Sequence, residues 1–563
     1  MKVLLIQPPP RRIAKEDIVV PPLGIAYIAA VLEKEGHDVS VLDAFAEGLD
    51  FDSTEERIRS FSPDAVGITG MTPVIDNAFR VAKAAKKHAR HVIIGGPHVS
   101  VVGGRIFEQC PEIDYAIQGE GERSLPRLLD ALASGGDLRG VGGLITRDFA
   151  NPPAPFVDAL DDLPFPARHL LPNDRYRYIL SGGKVTTMFT SRGCPYQCVF
   201  CDKAVFGSTW RSRSASNVLD EMEHAIREFG IGSIVIYDDL FTMNKERVVA
   251  ICRGILDRGL KIEWKCEGRV NIVDEETLGW MKKAGCTMIA YGVESGNQKG
   301  LDYLNKGTKI EQIRKAFALT RKAGIKPMAY FILGIPVETY EDELNTIAFA
   351  KEIKPAYAQF SVLSPTPGTK LYDEAVAMGW YREVDAQNPM DKDLKRPAIL
   401  NENWDEEKLN RILREAHRRF YLSPWYILER LKEIRDPKEL YRKTLAGIKL
   451  LRWYLSRATV RTTRSTRRKI QTERTDLHAV ERSGDRGSRL HRFRAVRSIA
   501  RRGLPRHRHR QSPLRTAQPV PPVRRPRDGV CPWGRAQRGG HAAVDPEGRR
   551  PRSSRRDRRS AGM

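Results

Sequence analysis

Three cysteines, Cys194, Cys198 and Cys201, share one short stretch, SRGCPYQCVFCDK, residues 191–203. The chain has only eight cysteines in 563 residues, so three in one loop need a chemical reason. In a reducing compartment, clustered thiols point to metal or redox chemistry rather than to disulfides. Three thiolates can hold an iron–sulfur cube at three irons and leave the fourth open, whereas fully ligated clusters take four cysteines. No fourth cysteine is near: Cys266 and Cys286 lie far along the chain, each on or beside a separate strand. Zinc is one competing reading, but a structural zinc site takes four ligands, commonly as two CxxC pairs. Chance clustering is another. It leaves Gly193, Pro195 and an aromatic directly before the last cysteine, Phe200, unexplained.

The elements around this loop follow a regular pattern. Residues 1–143 alternate short β-branched runs (KVLLIQP, DVSVLDA, DAVGIT, HVIIGG, DYAIQG) with helical segments such as LGIAYIAAVLEKEG. Such alternation predicts an α/β fold with a parallel sheet covered on both faces and a ligand crevice beyond the carboxyl ends of its strands. Residues 144–183, with NPPAPF and DDLPFP, read as a Pro-rich linker. A second β/α series runs over 184–380, with KVTTMFT, SIVIYDD, KIEWKCEG, TMIAYGVE, KPMAYFIL and YAQFSVL as six strands. Six units predict a partial barrel with its chemistry at the C-terminal strand ends. The cysteine loop follows the first of these strands, at the mouth. Residues 384–456 read as helical, EEKLNRILREAHRRFYL being the clearest amphipathic run.

The net charge of +24 is unevenly spread. Residues 461–563 hold 30 Lys+Arg against 8 Asp+Glu, a net of +22, which leaves the first 460 residues near neutral. That tail has no Lys after Lys469, and its only aromatics are Phe493 and Trp533. It reads either as a disordered basic tail for nucleic acid or acidic surfaces or as out-of-frame translation of a GC-rich gene. The N-terminal MKVLLIQ stops at three prolines, too short for a signal-peptide core. No run approaches the roughly 18 apolar residues of a membrane helix. The sequence therefore predicts a cytoplasmic protein.

CxxxCxxC with an aromatic before its third cysteine resembles the radical S-adenosylmethionine (SAM) enzymes. The resemblance implies that the open iron chelates the amino and carboxylate groups of SAM. Phe200 would lie against the adenine. The reduced cluster would cleave SAM to methionine and a 5′-deoxyadenosyl radical that abstracts hydrogen. Other strand ends match the family. Asp238 and Asp239 in YDDLFT fall where the SAM amino end is bound. Glu294 and Ser295 in YGVESG fall near the ribose. By the same resemblance Arg269 in CEGRV would face the carboxylate, and Gly334 and Pro336 in ILGIP would lie near the adenine.

The first domain lacks a GxGxxG after its first strand, which argues against a dinucleotide. QPPP (Pro9) and VVPPLGIAYIAAVL (Pro22, Leu23, Gly24) instead resemble the Rossmann-like cobalamin-binding domain that precedes the barrel in one radical SAM branch. GITGMT (Thr69, Gly70, Met71, Thr72), GGPH (Gly95, Gly96, His98) and QGEGE (Gly119, Glu120) supply a glycine-rich rim that lets a flat corrin approach the backbone. The DxHxxG motif, whose histidine ligates cobalt, is absent. His98 stands elsewhere and reads as a loop residue.

The resemblance covers about residues 1–380. It implies a [4Fe–4S] cluster, SAM and cobalamin, a flavodoxin- or ferredoxin-type electron donor, and oxygen sensitivity. The expected activity is methylation of an unactivated carbon or phosphorus in a small-molecule intermediate, with an antibiotic pathway as one setting. One SAM would methylate cobalt and a second would generate the radical. Ring formation on a tetrapyrrole or lipid, without methyl transfer, is the alternative. Two other classes fare worse. An RNA methylthiotransferase needs a second cluster from N-domain cysteines, and only Cys110 lies there. A nucleic-acid binder would rest on the basic tail alone.

Overall fold

A computed structural model describes residues 1–10, 18–178, 183–385 and 395–432. The tail at 461–563 and the end of the expected helical region, 433–456, lie outside the described residues.

The first sheet has strands β1 (Lys2–Gln7), β2 (Asp38–Asp43), β3 (Ala65–Thr69), β4 (His91–Gly95), β5 (Tyr115–Ile117) and β6 (Leu144–Ile145). Their order is β2-β1-β3-β4-β5-β6, parallel except for β6. β1 shows why KVLLIQ is a strand. Val3 and Leu5 enter the core under helix Leu23–Lys34, while Leu4 and Ile6 enter the opposite core under helix Ile75–Ala85. A run buried on both faces can only be a central parallel strand. Strand order reverses between β1 and β3, which opens a crevice at their carboxyl ends.

The second sheet contains β7 (Val185–Met188), β8 (Ser233–Ile236), β9 (Glu263–Gly268), β10 (Cys286–Glu294), β11 (Lys326–Leu333) and β12 (Tyr357–Val362). All pairs are parallel and run in chain order, with β7 and β12 as unpaired edges among the described residues. This is an open (β/α)6 barrel. Several of its helices begin at side chains that satisfy the first free N–H groups: Asn244 accepts from Arg247 N–H at 2.7 Å and Asp274 from Thr277 N–H at 2.8 Å.

Two expectations are corrected. The Pro-rich linker expected at 144–183 is, over residues 144–178, a packed strap. β6 joins the first sheet, Ala167 N–H donates to Ala26 C=O at 3.0 Å, and Tyr176 donates to Asp43 at 2.9 Å. Arg177–Tyr178 pairs with Ile18–Val19. Proline tolerates both roles, because extended chain without N–H groups serves a tether and a strap equally. The C-terminal region is also not wholly helical. It opens with an antiparallel pair, β13 (Tyr381–Asp385) and β14 (Lys395–Ile399), and then forms helices Glu406–Tyr421 and Pro424–Lys432. Helix Glu406–Tyr421 packs on β12, and Trp404 Nε1–H donates to Ile335 C=O at 3.0 Å.

The strap is anchored by buried charge. Arg168 donates to Glu221 at 2.5 Å and to Thr186 at 3.2 Å, and Arg213 donates to the other Glu221 oxygen. Arg213 also reaches Tyr27 Oη on the first domain, at 3.3 Å. Burial opposes charge on Glu221, but the two guanidiniums outweigh it and hold its carboxyl below the usual range. That stabilisation is present above the ordinary carboxylate pKa and is lost as pH falls through the depressed native value. Glu221→Ala leaves two buried guanidiniums without their partner. We expect it to cost about 3–5 kcal/mol of unfolding free energy at pH 7. A urea titration with an unchanged midpoint would contradict the pairing.

Candidate active site

The carboxyl ends of both sheets open on one cavity of about 800 Å³. The cysteine loop lies between them. Ser191–Arg192 pairs with Arg211–Ser212 across the base of the loop. Gly193 takes φ +81, and a Cβ there would meet the Thr209 carbonyl at 2.3 Å, so no other residue fits. Lys203 Nζ closes the loop by donating to the carbonyls of Cys194 (2.9 Å) and Tyr196. Cys194, Cys198 and Cys201 are free thiols, and all three line the cavity with Phe200. Desolvation, with Cys198 and Cys194 close by, pushes the Cys201 thiol up to about 11. Three thiols on one loop at the cavity are a donor set suited to cationic iron.

The two aspartates after β8 hold this loop. Asp238 accepts from Thr190 N–H (2.6 Å), Thr190 Oγ (2.5 Å) and Ser191 Oγ (2.7 Å), and Asp239 accepts from Gly193 N–H at 3.0 Å. Asp238 is buried, with both oxygens taken. Asp238 lines the cavity, as expected of its place after β8, and its oxygens position the loop. Asp239 also lines the cavity, and burial raises its pKa.

Across the cavity, Arg269 donates to Asn271 at 2.9 Å, and its guanidinium lies 3.6 Å from the Tyr196 ring centre. Its Nη2 is buried without a hydrogen-bond partner among the described residues. A buried guanidinium with an unused donor fits a carboxylate. Glu294 takes φ +66, a strained value for a non-glycine residue, and accepts from Lys306 Nζ at 2.7 Å. Gly292 makes room, since a Cβ there would meet Glu294 Oε1 at 2.3 Å.

Three other residues expected at SAM lie behind the cavity wall. Ser295 is fully buried and donates to Glu338 at 2.6 Å. Gly334 N–H donates to Glu343 at 2.6 Å, and Pro336 C=O accepts from Asn401 and Asn403 at 3.1 and 2.9 Å. Gly334 and Pro336 thus carry the C-terminal region.

On the first sheet, Pro22, Leu23, Gly24, Thr69, Met71, Gly95, Gly96, Gly119 and Glu120 line the cavity. Pro9, Gly70, Thr72 and His98 do not. Pro9 C=O accepts from Asn77 at 3.2 Å, and Gly70 bonds through its backbone to Gly95 and His98. His98 is buried on the short helix Pro97–Val102, not on a loop, between Thr72 Oγ (3.2 Å) and Gln109 Oε1 (3.1 Å). Glu120 reaches the cavity, but Arg192 (3.0 Å), Arg211 (3.0 Å) and Val157 N–H (2.6 Å) occupy its carboxylate. Gly96, at φ +101, would place a Cβ 2.9 Å from Gly70 C=O, so this point of the crevice mouth takes no side chain.

Residues 13–129 match the family model of the B12 binding domain, and residues 188–350 that of the Radical SAM superfamily. An uncharacterized methyltransferase of Pyrococcus horikoshii is 36% identical over 450 residues, covering 77% of this chain and 95% of that one. The chain belongs to the cobalamin-binding radical SAM enzymes. The anaerobic magnesium-protoporphyrin IX monomethyl ester cyclase of Cereibacter sphaeroides is 30% identical, covering 72% of this chain and 68% of that one. Among solved structures, TsrM of Kitasatospora setae, with cobalamin and a [4Fe–4S] cluster bound, matches at TM-score 0.62 and 20% identity, over 75% of this chain and 91% of that one. OxsB with aqua-cobalamin matches at 0.65 and 19%, over 80% and 71%. These two show the fold.

The cofactors of this radical SAM enzyme are therefore cobalamin, a [4Fe–4S] cluster and SAM, and the residues present fit them. The glycine-rich rim suits a broad flat macrocycle, the three thiols suit a cluster, and the unused Arg269 donor suits a carboxylate. The sequence reading missed Lys306, on a loop beyond the strand, and Glu267 and Tyr330, inside strands. Among the described residues no helix is long and apolar enough to cross a membrane. Gly193→Ala forces the loop off Thr209. After anaerobic reconstitution we expect iron to fall well below the about four per chain of an intact cluster. Full iron retention would show that the loop tolerates the side chain.

Proposed function

We propose that this enzyme is a methyltransferase that moves a methyl group from SAM, by way of cobalamin, to an unactivated carbon or phosphorus of a small molecule. One observation carries the reading: the glycine rim of the first sheet and the three-cysteine loop line the same cavity. The methyltransferase name of the Pyrococcus horikoshii relative supports it. The bound cofactors supply the radical and methyl chemistry.

The chain's residues bind and orient. Cys194, Cys198 and Cys201 hold the cluster, and Asp238, Asp239 and Lys203 fix the loop that presents them. Arg269, stacked on Tyr196, takes the SAM carboxylate with its unused Nη2. Glu294, held by Lys306, meets the ribose side, and Phe200 covers the adenine. Pro22, Leu23, Gly24, Thr69, Met71, Gly95, Gly96 and Gly119 would form the cobalamin bed, and His98 is committed to Thr72 and Gln109. A flavodoxin- or ferredoxin-type protein supplies electrons. The cyclase likeness favours one second reading, oxidative ring closure without methyl transfer.

The test uses the full chain, purified without oxygen, reconstituted with iron and sulfide, loaded with hydroxocobalamin and desalted. About one cobalt beside about four irons, with labelled methyl from SAM recovered in the cobalamin fraction, is the expected result. Iron without retained cobalt removes the methyltransferase reading. Arg269→Leu should keep its iron and bind SAM at least ten-fold more weakly, about 1.4 kcal/mol. Unchanged SAM affinity would move the carboxylate site elsewhere.

A further inference from the structure

Below the rim, the barrel interior holds polar groups that the proposed SAM site does not use. Side chains alternate along β9. Arg269, just past the strand, Glu267 and Lys265 therefore stand on one face at successive depths. Lys265 is the deepest, 4.6 Å from the Tyr178 ring centre, so the strap closes the floor. Glu267 and Tyr330 line the cavity at the middle depth. Tyr330 donates to Glu267 Oε1 at 3.0 Å. Glu267 Oε2 has no hydrogen-bond partner among the described residues.

The groups facing Glu267 are each accounted for. Glu294 on β10 raises its pKa and Lys306 lowers it, and those two are paired with each other. Burial pushes up the hydroxyls of Tyr330, Tyr237 and Tyr178, so they stay neutral. Burial lowers Lys265 to about 8, and it raises Glu267 to about 7. Near neutral pH, then, the middle of the barrel offers one carboxyl with an unused oxygen. Protonated, it donates; ionised, it repels an anion.

Resting on the proposed function for its site, we propose that Glu267, oriented by Tyr330, selects the substrate. The chamber accepts an uncharged, largely apolar molecule that presents a carbonyl or similar acceptor to the Glu267 carboxyl, and it rejects an anionic group there. Tyr330 is a positioning residue.

The probes are 2-acetylnaphthalene, an uncharged acceptor, and 2-naphthoate, its anionic counterpart. Each is dialysed to equilibrium against the full-chain holoenzyme with SAM bound. At pH 6 the ketone should bind at least ten-fold tighter than the naphthoate. Its affinity should fall several-fold as pH rises past about 7, because the donating form of Glu267 is lost with its proton. Glu267→Gln keeps an N–H donor at every pH and should bind the ketone without that pH dependence. Glu267→Leu should lose several-fold in affinity at pH 6. A wild-type enzyme that binds naphthoate as well as the ketone, binds neither, or shows no pH dependence overturns the proposal, as does a leucine variant that binds like wild type. Iron and cobalt are counted on the same samples. A chain that retains no cobalt yet shows the ketone's pH profile would overturn the methyltransferase reading alone.

Discussion

Seven buried charged side chains hold the two sheets with their carboxyl ends toward one cavity. Glu120 and Glu122, beyond β5, clamp Arg192 at 3.0 and 2.6 Å, and Glu120 also takes Arg211. Both arginines belong to the short strands that frame the cysteine loop. On the other flank, Glu221 joins Arg168 of the strap to Arg213, which reaches Tyr27 of the first domain. Arg192 also lies over the Tyr27 ring, so the two groups meet at one tyrosine. Buried ions cost more to desolvate than an average pair returns, unless every donor and acceptor is matched. What this arrangement fixes is relative position. The glycine-rich rim of the first sheet and the three-cysteine loop share one set of ion pairs.

The same logic orders the loop itself. A loop that presents three thiols has little secondary structure to hold it, so its backbone bonds come from side chains. Asp238 and Asp239 supply them from the neighbouring strand end, and Lys203 from within the loop. Two residues that read as ligand contacts by their place after β8 are thus the mount of the ligand site. Asp238 is fully occupied. Asp239 serves the mount through Gly193, and both aspartates line the cavity.

Much of this was legible in the sequence, because the strands are buried on both faces and stand out as apolar runs. All eleven strand runs named from the sequence fall on observed strands, and the cysteine loop sits where its place after β7 implies. What was not legible follows from single residues. The register between β10 and β11 shifts between Gly292 and Glu294, where Glu294 turns to φ +66. That irregularity sends Glu294 into the cavity and Ser295 into the wall, and no alternation rule read from YGVESG contains it. Gly334 and Pro336 end a strand, as expected. The C-terminal region nonetheless packs over them through Trp404, Asn401 and Asn403, a contact between segments some 65 residues apart. Lys306 is invisible for the converse reason, since it reaches the site from a loop beyond a short helix.

Carboxylates in the cavity wall then divide by how many of their oxygens are already spent. Asp238 and Glu120 have both oxygens bonded, as does Glu221 behind the wall, and each joins one part of the frame to another. Glu267 has one oxygen bonded and one unused, in a place where burial keeps its charge in balance near neutrality. Composition cannot separate these cases, because all four are acidic residues. The hydrogen-bond inventory can. A buried acid with no capacity left is architecture, and one with capacity left over is available to whatever enters the barrel.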